Sequence, residues 1–188
     1  KIFLYGGSFD PVHLGHEKII NNSLSSCDKL FIIPANKSPH KKNNPEASSL
    51  HRYSMLSLLY KTNKKIVLSK YEIDKDDLSF TFNTIEYIKS KYKDAEITFI
   101  LGSDLIKTLP DWYNIEKIQR EVSFLIYNRN GFKEKLSKNF NLKYIQNFNE
   151  NISSTNLKQL LQKGEFISVK KMLSPLIYNY IIKKDLYK

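Results

Sequence analysis

Five short apolar runs restrict this chain more than any other feature of its sequence: Ile2-Phe3-Leu4-Tyr5, Leu30-Phe31-Ile32-Ile33, Ile66-Val67-Leu68, Ile97-Thr98-Phe99-Ile100-Leu101 and Val122 to Tyr127. None shows the strict apolar–polar alternation of a strand with one wet face, and helix-type stretches lie between them. That pattern predicts a parallel sheet covered by helices on both faces. The helix-type stretches are His16 to Leu24, with Ile19, Ile20 and Leu24 at helical spacing, a segment capped by Ser48 or Ser49 and carrying Met55, Leu56, Leu58 and Leu59, and Thr81 to Tyr92. A polar Pro/Lys/Asn loop after Pro34 runs to about Ala47. From Ser154 onward the chain reads helical twice, the second helix opening at Ser174-Pro175. No internal repeat or composition break marks a boundary, so residues 1–188 are expected to form one α/β domain with a helical C-terminal part from about residue 152.

Composition narrows the class. The chain has 188 residues, 41% apolar and 13% aromatic, enough for one sizeable core and too short for two ordinary domains. Six Gly and six Pro exclude collagen-like and low-complexity chains. No apolar run approaches the roughly 20 residues of a membrane span, so no membrane partner is expected. Lys1 to Tyr5 run straight into a motif, so no signal peptide is expected, and the lone Cys27 fits a reducing compartment. A cytoplasmic location follows as the expectation. The net charge is +11, from 30 basic and 19 acidic residues, with arginine only at Arg52, Arg120 and Arg129. The lysines are dispersed, often beside asparagine, rather than gathered in an aromatic-interleaved stripe. Nucleic acid is therefore not the expected partner.

The chemistry concentrates in Gly6-Gly7-Ser8-Phe9-Asp10-Pro11-Val12-His13-Leu14-Gly15-His16, directly after the first strand. Ligands of open α/β sheets bind beyond the carboxyl ends of the strands, where glycines let the backbone approach phosphate and a helix N-terminus offers positive potential. Two histidines separated by Leu-Gly can both face such a site. The string is neither a Walker loop nor the dinucleotide G-x-G-x-x-G fingerprint.

It resembles the G-x-F-D-P-x-H-x-G-H signature of the nucleotidylyltransferase superfamily. Four further blocks, in order, resemble bacterial nicotinate-nucleotide adenylyltransferases: Pro34-Ala35-Asn36-Lys37-Ser38-Pro39-His40-Lys41, with Ser38 where proline is usual; Ser79-Phe80-Thr81-Phe82-Asn83-Thr84, with Asn83 replacing an acidic residue; Phe99 to Asp104 followed by Leu109-Pro110-Asp111-Trp112-Tyr113; and Ile152-Ser153-Ser154-Thr155-Asn156-Leu157-Lys158, with Lys158 in an arginine's place.

The resemblance implies a Rossmann-like, doubly wound sheet of order 3-2-1-4-5, which brings Gly6–His16 and Gly102–Asp104 to one crevice. It implies an enzyme that transfers AMP from ATP to nicotinate mononucleotide, giving deamido-NAD and pyrophosphate. His13 and His16 would be catalytic, His16 stabilising charge on the α-phosphate. Gly6, Gly7, Ser8, Phe9, Gly102 and Asp104 would complete the ATP site, with Asp104 on the ribose. Ser153, Ser154, Thr155 and Lys158 would take the triphosphate. Ser8, Lys41 and Thr81 would hold the mononucleotide phosphate, Trp112 would stack on the pyridine ring, and the Tyr113 N–H would meet its carboxylate. Mg²⁺ would ride mainly on ATP phosphates, with no protein metal site. Plainer readings stand beside these: Trp112 as core, against which the Leu109-Pro110 turn favours an exposed ring; Thr81 as a helix cap; Asp104 as an N-cap. A homo-oligomer is compatible with the sequence. The rival readings are another small-molecule adenylyltransferase, such as phosphopantetheine adenylyltransferase, and a basic RNA-binding protein on the same fold. The first usually has Thr where His13 stands, is shorter and lacks the Leu-Pro-x-Trp segment.

Overall fold

Successive side chains of a strand point to opposite faces of its sheet, and here both sets are apolar. In the computed structural model, which describes residues 1–39, 43–75, 77–128, 140–145, 148, 150 and 152–188, parity sorts each run into two cores. Phe3, Tyr5, Leu30, Ile32, Ile100, Leu125 and Tyr127 face one side. Ile2, Leu4, Phe31, Ile33, Phe99, Leu101, Phe124 and Ile126 face the other.

The strands are β1 (Ile2–Gly7), β2 (Lys29–Pro34), β3 (Ile66–Leu68), β4 (Ile97–Gly102), β5 (Ser123–Tyr127) and β6 (Leu142–Ile145). They form one sheet of order β3-β2-β1-β4-β5-β6, every neighbouring pair parallel. The expected order 3-2-1-4-5 is thus present and extended by β6. That strand escaped the sequence reading because Leu142-Lys143-Tyr144-Ile145 is short and half-polar, and as an edge strand it is only partly covered. The first face is covered by α1 (Leu14–Ser23), α2 (Ser49–Tyr60), α5 (Ser154–Gln162), α6 (Phe166–Lys170) and α7 (Pro175–Lys183), through residues such as Ile20, Leu56, Leu157, Val169 and Ile177. The second is covered by α3 (Thr81–Lys91), α4 (Ile115–Glu121) and a 3₁₀ segment (Ser103–Asp111), through Ile85, Ile88, Ile118 and Ile106.

Two boundaries differ from expectation, and the α2 cap is one of the two residues expected for it. α1 starts at Leu14, because His13 is its extended N-cap residue and Gly15 and His16 already lie in the first turn. Ser48 is the cap of α2, its side chain accepting from the His51 N–H. The C-terminal part has three helices rather than two, because Gly164 at φ 73° ends α5 and α6 follows it. Among the described residues no helix is long and apolar enough to cross a membrane.

Candidate active site

The chain lays β2 and β3 outward from β1, then returns so that β4 pairs with β1 on its other side, with Tyr5 opposite Ile100. The helices leaving β1 and β4 therefore diverge, and a crevice opens at the carboxyl ends of the strands. It is a cavity of about 670 Å³, walled by the loop after β1, the ends of β4 and α3, and the first turn of α5.

The loop after β1 is shaped by close side-chain packing. A Cβ on Gly6 would come within 3.3 Å of the Phe99 ring, and one on Gly7 within 3.2 Å of the Phe9 ring. Phe9 itself is a non-glycine residue at φ 48°, a conformation costing on the order of 1 kcal/mol or more. Its ring is buried edge-on between Tyr5 and His16, at 5.5 and 5.0 Å. Those contacts hold the turn that carries Ser8 and both histidines to the cavity. Gly15 has the same purpose: a Cβ there would meet the His13 ring at 3.1 Å. The two imidazoles stack with centroids 3.8 Å apart. The His13 backbone N–H donates to His16 Nδ1 at 3.3 Å, so His16 carries its proton on Nε2 and is a donor there.

Facing this loop, α5 presents its N-terminus. Ser153 caps it, accepting from the Asn156 N–H at 3.2 Å, and the Ser154 hydroxyl donates to the Pro11 carbonyl at 3.1 Å. Ser153, Ser154, Thr155 and Lys158 all line the cavity. The Lys158 ammonium is not adrift in it: it pairs with Asp10 Oδ2 at 3.0 Å and Glu46 Oε2 at 3.3 Å. Asp10 is buried and also accepts from the Glu46 and Ala47 N–H groups and from the Tyr187 hydroxyl. Burial alone would push its carboxyl up, but these donors outweigh burial and hold it below the ordinary carboxylate value. The pair raises Lys158 in turn, against its own partial burial. Beside it Arg52, only 1% exposed, donates to the carbonyls of Ser8, Ala35 and Ala47 and so locks the loop after β1 to the one after β2.

Of this set sequence reasoning expects only Lys158 and misses Asp10, Arg52 and Tyr187, although two signals exist. Asp10 lies inside the dense motif between apolar neighbours, and Arg52 is one of three arginines, set in a helix with no other Lys, Arg, Asp or Glu. Tyr187 carries no signal at all.

On the opposite rim, Gly102 ends β4 and Asp104 lies exposed in the following 3₁₀ segment, whose N-cap is Gly102, not Asp104. Thr81 is the first residue of α3 rather than its cap, which is Phe80. Nearby Glu72 accepts from the Thr84 hydroxyl at 2.6 Å; burial pushes its carboxyl up. Gly102, Asp104, Thr81, Glu72, Trp112 and Tyr113 all reach the cavity wall. The exposed ring expected of Trp112 is corrected: only 8% of that residue is exposed, because the indole packs edge-on against Phe99 in the second core and shows the cavity one margin. Tyr113 is the exposed member, at 54%, resting on Phe80 and Phe82 at 5.1 and 5.9 Å. Lys41 lies outside the described residues.

A doubly wound parallel sheet with a glycine–histidine loop, a serine-capped helix and an aromatic wall around one switch-point crevice defines a nucleotide-binding α/β protein of the nucleotidyl-transferring kind. The family profile described as cytidylyltransferase-like matches residues 4–160. A probable nicotinate-nucleotide adenylyltransferase of Aliarcobacter butzleri is 37% identical over 84% of this chain and 86% of its own length. One from Endomicrobium trichonymphae is 36% identical over 100% and 99%. Among solved structures, the Plasmodium falciparum nicotinic acid mononucleotide adenylyltransferase complexed with NaAD superposes with a TM-score of 0.83 at 26% identity, covering 99% of this chain and 96% of that one. The chain belongs to the cytidylyltransferase-like family and, within it, to the nicotinate-nucleotide adenylyltransferases.

Proposed function

We propose that this chain transfers the AMP moiety of ATP to nicotinate mononucleotide, releasing pyrophosphate and forming deamido-NAD, a step of NAD biosynthesis. The observation that carries the reading is one crevice with two unlike ends: imidazoles, a helix N-terminus and a tethered ammonium at one, a Trp112/Tyr113 wall at the other. Anionic phosphates suit the first end, and a flat ring suits the second. The Plasmodium relative's complex with NaAD, which contains both halves of such a product, supports the assignment.

In this reading no protein nucleophile is needed. The mononucleotide phosphate, held by Ser8, Thr81 and Lys41, attacks the α-phosphorus of ATP as the bond to the β-phosphate oxygen breaks. Alignment and neutralisation of growing charge supply the rate. His16 donates from Nε2 to an α-phosphate oxygen, while His13 and the backbone of Gly6, Gly7, Ser8 and Phe9 flank the triphosphate. Ser153, Ser154, Thr155 and Lys158 receive the departing pyrophosphate. Gly102 and Asp104 hold the adenosine, Asp104 through the ribose. Mg²⁺ would be held mainly by the ATP phosphates and water and would offset phosphate charge. A cytoplasmic location, and one catalytic domain over residues 1–188, belong to the same proposal.

The test is pyrophosphate release from ATP and Mg²⁺ with nicotinate mononucleotide, phosphopantetheine or no acceptor. Release with nicotinate mononucleotide alone is expected. Release only with phosphopantetheine would move the chain to the rival adenylyltransferase, and RNA retention without release would favour the binding-protein reading.

A further inference from the structure

The reaction as proposed leaves the end of the chain unused, yet that end is built into the site. After α7 the chain folds back on itself: the Leu186 N–H donates to the Ile181 carbonyl, and Asp185 and Tyr187 both adopt left-handed backbone, at φ 57° and 64°. Neither is glycine, so the turn costs free energy that its contacts must offset. The Tyr187 side chain supplies those contacts. Although it is the penultimate residue, it is only 5% exposed. Its hydroxyl donates to Asp10 Oδ1 at 2.9 Å, and the Lys158 ammonium lies 6.0 Å from its ring centroid. It therefore touches both members of the ion pair at the triphosphate end.

The donors divide evenly over the carboxylate. Oδ1 accepts from Tyr187 and the Ala47 N–H, while Oδ2 accepts from the Glu46 N–H and Lys158. That arrangement fixes the carboxylate plane, and with it the place of the ammonium. A lysine needs such fixing: it is a point charge on a flexible four-carbon stem, without the planar fork by which arginine orients itself. We propose that Tyr187 is a positioning residue for ATP, holding Lys158 through Asp10 where the triphosphate is received. The proposal rests on the functional reading above for the identity of that ligand.

The hydroxyl can be removed alone by Tyr187→Phe, which keeps the ring and its packing. The expected result is a rise of about threefold to tenfold in KM for ATP, with kcat and the nicotinate mononucleotide KM within about twofold. Lys158→Met should raise the ATP KM at least as much, and adding Tyr187→Phe to it should then change little, since the residues act in series. An unchanged ATP KM in Tyr187→Phe, or the same fold-increase with and without Lys158, overturns the proposal. So does a lowered melting midpoint with unchanged kinetics, which would make the tail purely structural. ATP affinity measured calorimetrically without acceptor separates the two readings. Wild-type protein that binds ATP but releases no pyrophosphate with nicotinate mononucleotide sinks the acceptor assignment, while the affinity ratio of Tyr187→Phe to wild type still decides the role of Tyr187. Wild-type protein that binds no ATP overturns both.

Discussion

The two rims of the crevice are built on opposite physical terms. The rim proposed to receive phosphate, the phosphate rim, is a buried polar network whose bonds span the chain, from Asp10 to Glu46, Lys158 and Tyr187 and from Arg52 to Ser8 and Ala35. The opposite rim is an aromatic wall in which Trp112 leans on Phe99 and Tyr113 on Phe80 and Phe82. Hydrogen bonds to charged groups are directional and costly to leave unmade, so the first rim has one arrangement. Ring contacts tolerate small shifts, so the second can adjust around a flat ligand. The difference suits a transferase: geometry must be fixed where phosphorus changes partners and can be looser where a ring is only recognised.

The comparison breaks most sharply at His16. His16→Ala should lower kcat by two or more orders of magnitude, since a donor to transition-state charge is worth roughly 2.7–4 kcal/mol. The fold should persist, because the bond His16 accepts from the His13 N–H is a single capping contact. A folded variant with near-normal turnover would remove His16 from the chemistry.

Asp10→Asn comes next and tests whether the phosphate rim also carries stability. The amide keeps the shape but loses the charge facing Lys158, so a loss of about 2 kcal/mol at pH 7 is expected. Asp10 is held below its ordinary value in the folded protein. Its contribution is therefore present above the unfolded value of about 3.9 and fades as pH falls through the folded one. Urea midpoints of the two proteins should accordingly differ at pH 7 and converge below about pH 4. A gap that does not narrow would mean the carboxylate charge is not what Asn removes.

Substrate choice probes the looser rim. A carboxylate accepts at both oxygens, whereas a carboxamide sets an NH₂ against the Tyr113 N–H proposed to meet it. An unmade bond in a closed site costs about 1–3 kcal/mol, so kcat/KM for nicotinate mononucleotide should exceed that for nicotinamide mononucleotide at least about tenfold. Equal values would show that the wall reads the ring and not its charge.

The same contrast explains what the sequence discloses. The sheet was legible because β1, β2, β4 and β5 are apolar on both parities, and the motif loop because its glycines and histidines are dense over eleven positions. β6 was not, since half its side chains face outward and an edge strand needs no continuous apolar run. The role of Gly7 and Gly15 was legible only in outline: they make room for the Phe9 and His13 rings, a fact of packing rather than of spacing. Trp112 misled because a turn containing Pro110 says nothing about what lies beneath it, here Phe99. The Asp10 network was illegible for a simpler reason: Tyr187 lies 177 positions away from its acceptor, and only the fold brings them together.

The smallest expected effect belongs to Tyr113, and it tests the adjustable rim most directly. Its ring is about half exposed and touches Phe80 and Phe82, so Tyr113→Ala gives up one or two ring contacts worth about 0.5–1.5 kcal/mol each when buried, and less here. The melting midpoint should fall by only a few degrees. The ring anchors on Phe80 and Phe82 from the backbone between Trp112 and Asn114, the latter in left-handed conformation at φ 55°. That is the stretch whose N–H is proposed to meet the pyridine carboxylate. Loosening it should raise KM for nicotinate mononucleotide roughly threefold, leave KM for ATP unchanged, and be reversed by Tyr113→Phe, which keeps the ring and drops only the hydroxyl. Should both KM values rise together, the rims are not independent, and the aromatic wall is as fixed a part of the site as the network opposite it.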